Sequence, residues 1–257
     1  MTDIKAVLLE WTYTPMNYLE EPISISFNGG TLQIEQGSAL ATVAPQAYQA
    51  DATMRDQLTG KIESRLRAVQ IMTHKKFELS KASRTDILKD GKKHHYLEVD
   101  SVVMTMTMGS VDLVVKDKAG NIVSDTKRER LNKQEWYAML IEKFRSSDAI
   151  LGQMLQSYQA SVSDPDNELV HLYEIRDSLA SNFGSKKSAV SQLNISNKQW
   201  NVIGELANHS PLKQGRHRGK SVGSLRDAEV TELEEARKSV VILVEKYLEY
   251  LDANQSH

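Results

Sequence analysis

The chain of 257 residues contains no cysteine. This absence excludes disulfide bonds, thiolate catalysis and zinc sites built on cysteine. Nowhere do about 18 apolar residues follow one another, so the sequence predicts no transmembrane helix. The N-terminal residues also lack the basic and apolar regions of a signal peptide. We therefore expect a cytoplasmic protein that does not associate with membranes.

The chain also lacks an excess of charge of either sign. Its 32 basic and 34 acidic side chains give a formal net charge of −2. A protein so balanced attracts nucleic acid only through a local basic patch, which must be located by position.

Recognisable cofactor and metal motifs are missing as well. There is no phosphate-binding glycine loop, no nucleophile elbow and no His-x-x-x-His pair. His94 and His95 are adjacent, and strand alternation would send their imidazoles to opposite faces. We predict no cofactor and no metal site.

The first half of the sequence has the pattern of a β-rich domain with one helix. Residues 23–27 and 31–34 alternate apolar and polar side chains around Asn28-Gly29-Gly30, which predicts a hairpin. A second β block is predicted over residues 96–125. Between them, one apolar stripe at helical spacing predicts a long helix on one face of the sheet: Met54, Leu58, Ile62, Leu66 and Val69.

From Asn132 the apolar period changes from two to about 3.6 residues, which marks a predicted domain boundary. Asn132 and Glu135 form a capping pair for the first helix, and the pattern around Ser147 fits two helices or one kinked helix. Asp164 and Pro165 predict the start of the next helix. The sequence thus predicts an α+β protein, with a β-rich domain at 1–131 and an all-helical domain at 132–257.

The last predicted helix begins at a capping box of Thr231 and Glu234. Its apolar side must pack on something, either in an intramolecular bundle or across the seam of a homodimer. The stripe comprises Leu233, Ala236, Val240, Leu243, Val244, Tyr247, Leu248 and Leu251.

Residues 188–203 show the pattern of two short helices joined by a turn at 194–196. Asn194 stands where such a turn favours a left-handed residue, and Ser196 is suited to cap the second helix. Five apolar side chains are spaced to close on one centre: Val190, Leu193, Ile195, Trp200 and Ile203.

This pattern resembles the helix-turn-helix of bacterial repressors over about 20 residues. It departs at Val190, where alanine is usual, and at Trp200, where valine or isoleucine is usual. The resemblance implies a recognition helix that presents Asn197, Lys198, Gln199 and Asn201 to base edges. An ordinary helical hairpin in a bundle is the alternative, because short apolar patterns match often by chance.

A basic segment follows at residues 211–220 and contains no acidic residue. Phosphate binding would use its side chains Lys213, Arg216, His217, Arg218 and Lys220. A solvated loop is one alternative, and the other is pairing of these arginines with the acids Glu232, Glu234 and Glu235.

The stretches HLYEIRDSL and LKQGRHRGK resemble helical domains of the HEPN type in bacterial proteins. That resemblance implies a metal-independent ribonuclease centred on Arg216 and His217, with Arg176 or His209. The family's spacing of four to six residues between arginine and histidine is not met, because His217 directly follows Arg216. We therefore predict a non-catalytic nucleic-acid-binding or regulatory protein, with a HEPN-type ribonuclease and a structural oligomerisation or adaptor protein as alternatives.

Overall fold

The computed structural model describes residues 4–96, 112–116 and 121–255. An antiparallel sheet lies in the N-terminal half and helices form the C-terminal half, which confirms the predicted α+β class. Residue contacts divide the chain into two units, which we call the sheet unit and the helical unit. The sheet unit holds Met1–Val69 and Phe77–Ala138; the helical unit holds Gln70–Lys76 and Met139–His257.

The main sheet of the sheet unit has seven strands: β1 (Ile4–Thr14), β2 (Ile23–Phe27), β3 (Gly30–Glu35), β4 (Ser38–Val43), β5 (Glu78–Leu79), β6 (Ser83–Leu88) and β7 (Lys93–Tyr96). Their order is β2-β3-β4-β1-β6-β7, with β5 paired to the end of β1. Every pairing within this sheet is antiparallel.

The predicted hairpin is confirmed as β2 and β3, with Phe27 opposite Gly30. Gly29 in the turn has a φ of +92°, which a side chain would disfavour. Leu32 and Ile34 of β3 are fully buried, while the residues between them face outward. The predicted alternation of apolar and polar residues therefore corresponds to side chains that face the core and the solvent in turn.

Helix α2 (Met54–Thr73) carries the predicted apolar stripe into the same core as the strands. The hydroxyl of Thr59 on this helix accepts a hydrogen bond of 3.0 Å from Trp11 Nε1 on β1. This bond connects the helix to the sheet inside the unit. A short helix, α1 (Pro45–Ala50), was not anticipated from the sequence.

The second β block is described only in part, because residues 97–111 and 117–120 lie outside the described residues. Two strands of it form an antiparallel pair, β8 (Val114–Lys116) and β9 (Ile122–Asp125). His94 and His95 lie on β7 and are exposed.

Six further helices follow, and the first begins earlier than predicted. The Asp125 carboxylate accepts a hydrogen bond of 3.0 Å from the Arg128 amide and caps the chain there. Asn132 therefore lies inside a helix, and the predicted capping pair is wrong. The helices are α3 (Thr126–Phe144), α4 (Ala149–Ser163), α5 (Glu168–Asn182), α6 (Lys186–Gln192), α7 (Asn197–Asn208) and α8 (Val230–Asn254).

Other helix ends correct or decide the remaining predictions. Asp148 caps α4 by accepting from the Leu151 amide at 2.6 Å, so the chain forms two helices around Ser147. Residues Pro165–Asn167 form a 3-10 turn, and α5 starts after it. The capping box of α8 joins Glu229 and Glu232, so the predicted box two residues later is wrong.

The apolar stripe of α8 is buried inside the helical unit, where α4, α5 and α7 pack against the helix. This agrees with the predicted intramolecular bundle, whereas self-association remains a prediction. The fully buried members are Ala236, Val240, Leu243, Val244, Tyr247 and Leu248. No helix in the described part of the chain is both long and apolar enough to span a bilayer.

Candidate nucleic-acid interface

The predicted helix pair exists as α6 and α7. Asn194 adopts a φ of +50° in the turn, as expected for a left-handed position. Ser196 caps α7: its hydroxyl accepts from the Gln199 amide at 3.1 Å, and the Gln199 side chain accepts from the Ser196 amide at 3.0 Å. Both ends of the turn are therefore fixed by local hydrogen bonds.

The apolar centre of this pair differs from the prediction at one residue. Val190 is only half-buried, and Ala189 is the fully buried side chain on α6. An alanine suits that position because it allows close approach of two helices. The other predicted members are buried: Leu193, Ile195, Trp200 and Ile203.

Two of the four residues predicted to contact bases form side-chain hydrogen bonds within the protein instead. Asn197 and Lys198 are exposed at the start of α7. Gln199 belongs to the capping box, and the side-chain oxygen Oδ1 of Asn201 accepts a hydrogen bond from Lys186 Nζ at 2.7 Å. The exposed acid Glu205 lies four residues after Asn201 and so shares its face of the helix. Asn197 and Lys198 are thus the two predicted base-contacting residues that stay exposed without such a hydrogen bond in the described chain.

Two cations of the basic segment are held by the protein itself. Arg218 Nε donates to the Gly215 carbonyl at 3.0 Å, and its Nη2 donates to the Asp166 carbonyl at 2.9 Å and to the Asn167 side chain. Lys213 forms an ion pair of 2.9 Å with Asp227. Arg218 therefore braces the loop against the start of α5.

Two others, Arg216 and Lys220, are exposed and form no ion pair with any residue that the structure describes. The Arg216 amide donates to the Ala207 carbonyl at 2.7 Å, which fixes this part of the loop at the end of α7. Its guanidinium lies 4.2 Å from the ring centroid of Tyr173 on α5. The loop thus presents these two cations on an ordered backbone.

His217 lies between these cations and is exposed. The charge of Lys220, partial desolvation, and the charges of Arg216 and His209 together lower the pKa of His217 below its ordinary value. The lowered pKa favours the neutral imidazole, which offers hydrogen bonds rather than charge.

Two of the three predicted acids at the start of α8 pair with residues other than the predicted arginines. Glu232 forms a bidentate pair with Arg226, with both contacts at 2.7 Å. Glu234 pairs with Lys238 at 3.6 Å. Hence neither Arg216 nor Arg218 is used to brace α8 in the described structure.

Tyr173 occurs in the sequence analysis only within the stretch HLYEIRDSL, yet its ring also contacts a second guanidinium. Arg176 lies 5.0 Å from the same ring centroid and 5.5 Å from that of Trp200. The HLYEIRDSL stretch contained both residues, but no local signal indicated that they meet Arg216. Contact across three elements brings them together: α5, α7 and the loop.

A concave region lies between the α6–α7 turn and the end of α8. Its charged side chains Lys246 and Glu249 pair with each other at 2.6 Å.

Within residues 4–96, 112–116 and 121–255, no group of three histidine or acidic side chains is placed to hold a metal ion. Comparisons with protein-family models, curated proteins and solved structures gave no match.

Proposed function

We propose that the helical unit binds nucleic acid without catalysis, through the basic loop at residues 213–220. The observation that carries this proposal is the exposure of Arg216 and Lys220 together with their lack of an acidic partner. Both are exposed and have no acidic partner in the described chain, although other cations of the same loop are paired. Unpaired cations on an ordered loop are the usual means of phosphate binding.

The loop contributes two phosphate contacts rather than the four that its composition suggests. Arg218 is committed to carbonyl oxygens of the protein and Lys213 to Asp227. Their role is to hold the backbone that presents Arg216 and Lys220.

Binding through these contacts is largely independent of base sequence. Lys198 and Asn197 are about 14 Å from the end of α7 where the loop is fixed, at the rise of a regular helix. They add a third, more distant contact to the backbone of a strand. With Gln199 and Asn201 engaged internally, we expect little direct base readout.

The test is a titration of fluorescent single-stranded RNA, single-stranded DNA and duplex DNA at several salt concentrations. Replacing Arg216 and Lys220 together with alanine should weaken binding to all sequences alike. It should also reduce the slope of log affinity against log salt by roughly 1.4 for single strands and roughly 1.8 for duplex DNA.

Lys213→Ala is the matched control, because it removes a charge from the same loop but one that is already paired with Asp227. It should leave the slope nearly unchanged. Unchanged affinity and slope in the double variant, or no binding by the wild-type chain at low salt, would contradict the proposal.

A metal-independent ribonuclease is the second candidate, and the neutral state of His217 beside Arg216 favours it. A neutral imidazole can accept a proton from a ribose hydroxyl while a guanidinium binds the phosphate. The same titrations, with the RNA analysed for fragments, test this candidate. Cleavage that His217→Ala abolishes while binding persists would establish the enzyme; intact RNA would exclude it.

A further inference from the structure

Two guanidinium groups share the ring of Tyr173. The Cζ of Arg216 lies 4.2 Å from the ring centroid and that of Arg176 lies 5.0 Å from it. The two Cζ atoms are therefore no more than about 9 Å apart. Two like charges repel one another, and an anion bound between or beside them would offset that repulsion by attracting both.

No acidic side chain in the described part of the chain supplies that anion. Arg176 makes no hydrogen bond or ion pair with any residue the structure describes, and its Nε is buried without a partner. Asp177 follows it on α5, is exposed, and is paired with neither guanidinium. A buried donor without an acceptor is costly, so the arrangement favours a ligand that brings oxygen atoms.

The structure makes room for Arg176 at some expense to α7. A Cβ at position 204 would overlap Arg176 Nη1, so glycine is needed there for the guanidinium to lie where it does. Glycine inside a helix is unfavourable relative to alanine. Trp200 on the same helix also has a buried Nε1 donor without a partner. Gly204 thus lowers the stability of α7 and leaves the space that the Arg176 guanidinium occupies.

The unpaired groups converge on one place instead of following a track. Arg176 and Arg216 meet at one ring, and the Lys220 amide donates to the His217 carbonyl at 3.0 Å, which places Lys220 in the turn that follows Arg216. Along a strand, phosphates are spaced several ångströms apart and each carries one charge. A terminal phosphate monoester carries close to two charges and three oxygen acceptors at a single point. Two guanidinium forks and an ammonium match that group better than an internal phosphodiester.

We propose that Arg176, Arg216 and Lys220 form a binding site for the terminal phosphate monoester of a nucleic-acid strand. This inference rests on the proposed function, because it names the part of the nucleic acid that the basic loop recognises. His217 lies between Arg216 and Lys220 in the chain, and its imidazole is able to donate a hydrogen bond to the same group.

The experiment compares one RNA 12-mer in three forms: with a 5′-phosphate, with a 3′-phosphate, and with hydroxyl groups at both ends. The site predicts that one phosphorylated form binds the wild-type chain at least about tenfold more tightly than the hydroxyl form. Inorganic phosphate should compete for that preference and leave the remaining affinity. Comparison of the two phosphorylated forms identifies which end is bound.

Gly204→Ala is the sharpest variant, because it displaces the Arg176 guanidinium without removing a charge. We expect the preference to fall to about twofold or less while circular dichroism and thermal unfolding show an intact helical unit. Arg176→Gln is the second variant and should have the same effect, should Gly204→Ala not fold.

The outcomes separate this inference from the proposed function. Equal binding of all three forms overturns the terminal-phosphate site and leaves the nucleic-acid proposal standing. A tenfold preference that survives in both variants also overturns it, because the site would then lie elsewhere. No binding of any form contradicts the proposed function itself.

Discussion

Replacing Arg237 with methionine should destabilise the helical unit strongly, because it strands a buried carboxylate. Glu168 at the start of α5 is only 2% exposed. Arg237 on α8 binds it through two hydrogen bonds of 2.6 and 2.7 Å, and His74 Nε2 lies 3.4 Å from the same carboxylate. Methionine preserves the apolar stem of Arg237 and removes only the guanidinium.

The size of the effect follows from the burial of the pair. Breaking a buried ion pair on one side costs about 3–5 kcal/mol. Arg237 is itself 30% exposed and His74 remains beside Glu168, so we expect the lower end, about 3 kcal/mol. For a chain of this size that corresponds to a fall in melting temperature of about 6–12 °C. Arg237→Lys keeps the charge but loses the fork, and should cost about 1 kcal/mol.

The loss should also depend on pH in a defined direction. Burial alone would raise the pKa of Glu168, but the hydrogen bonds from His74 and Arg237 outweigh it and hold the pKa below the ordinary value of 4.5. In the wild-type chain this stabilisation is complete above pH 4.5 and is lost as the pH falls through the lowered pKa. In the Arg237→Met variant, burial becomes the larger effect and raises the pKa of Glu168. Protonation of Glu168 then removes the unpaired buried charge and with it part of the destabilisation. The difference between the two chains should therefore be largest at pH 7 and smaller at pH 4.

Urea denaturation followed by circular dichroism, at pH 7 and at pH 4, measures both effects. Glu168→Gln is the control, because without a titrating carboxyl the further change at Arg237 should lose its pH dependence. A loss below about 1 kcal/mol at pH 7, or an equal loss at both pH values, would refute the reasoning.

Two further predictions concern packing and the turn. Leu243→Ala should lower the free energy of unfolding by about 2–5 kcal/mol, because Leu243 is fully buried inside the bundle; a folded variant of unchanged stability that sediments as a smaller species would instead indicate a dimer seam. Asn194→Ala should lower it by about 1 kcal/mol, because position 194 has a φ of +50°. Asn194→Gly should leave it equal or higher, and urea denaturation that ranks the two variants in the opposite order would contradict this reasoning.

The sequence predicted those parts of the fold whose signal is local and repeated. The stripe from Met54 to Val69 and the alternation around Gly29 each report burial every few residues, so the helix and the hairpin were found within a few residues of their bounds. The turn at Asn194 was found for a similar reason, because a left-handed residue and a capping serine are local requirements.

Helix starts were less predictable, because several side chains compete to cap each one. Thr231 and Glu234 match the usual capping box, but Glu229 and Glu232 form it. Glu232 is also held by Arg226 through two contacts of 2.7 Å, which fixes the chain just before the helix. This ion pair joins residues six apart in the chain and holds Glu232 at the earlier of two capping signals of similar strength.

The partners of the cations in the candidate site were even less predictable from the sequence than the helix starts. Composition identifies the basic loop, yet it cannot assign each cation a partner, since partners come from elsewhere in the fold. Arg216 and Arg218 are two residues apart, but one stacks on Tyr173 and the other binds carbonyl oxygens at the start of α5. Loss of binding after substitution of Arg218 would therefore report a disordered loop, whereas loss after substitution of Arg216 reports a missing ligand contact. Only variants chosen from these contacts can distinguish phosphate recognition from loop stability.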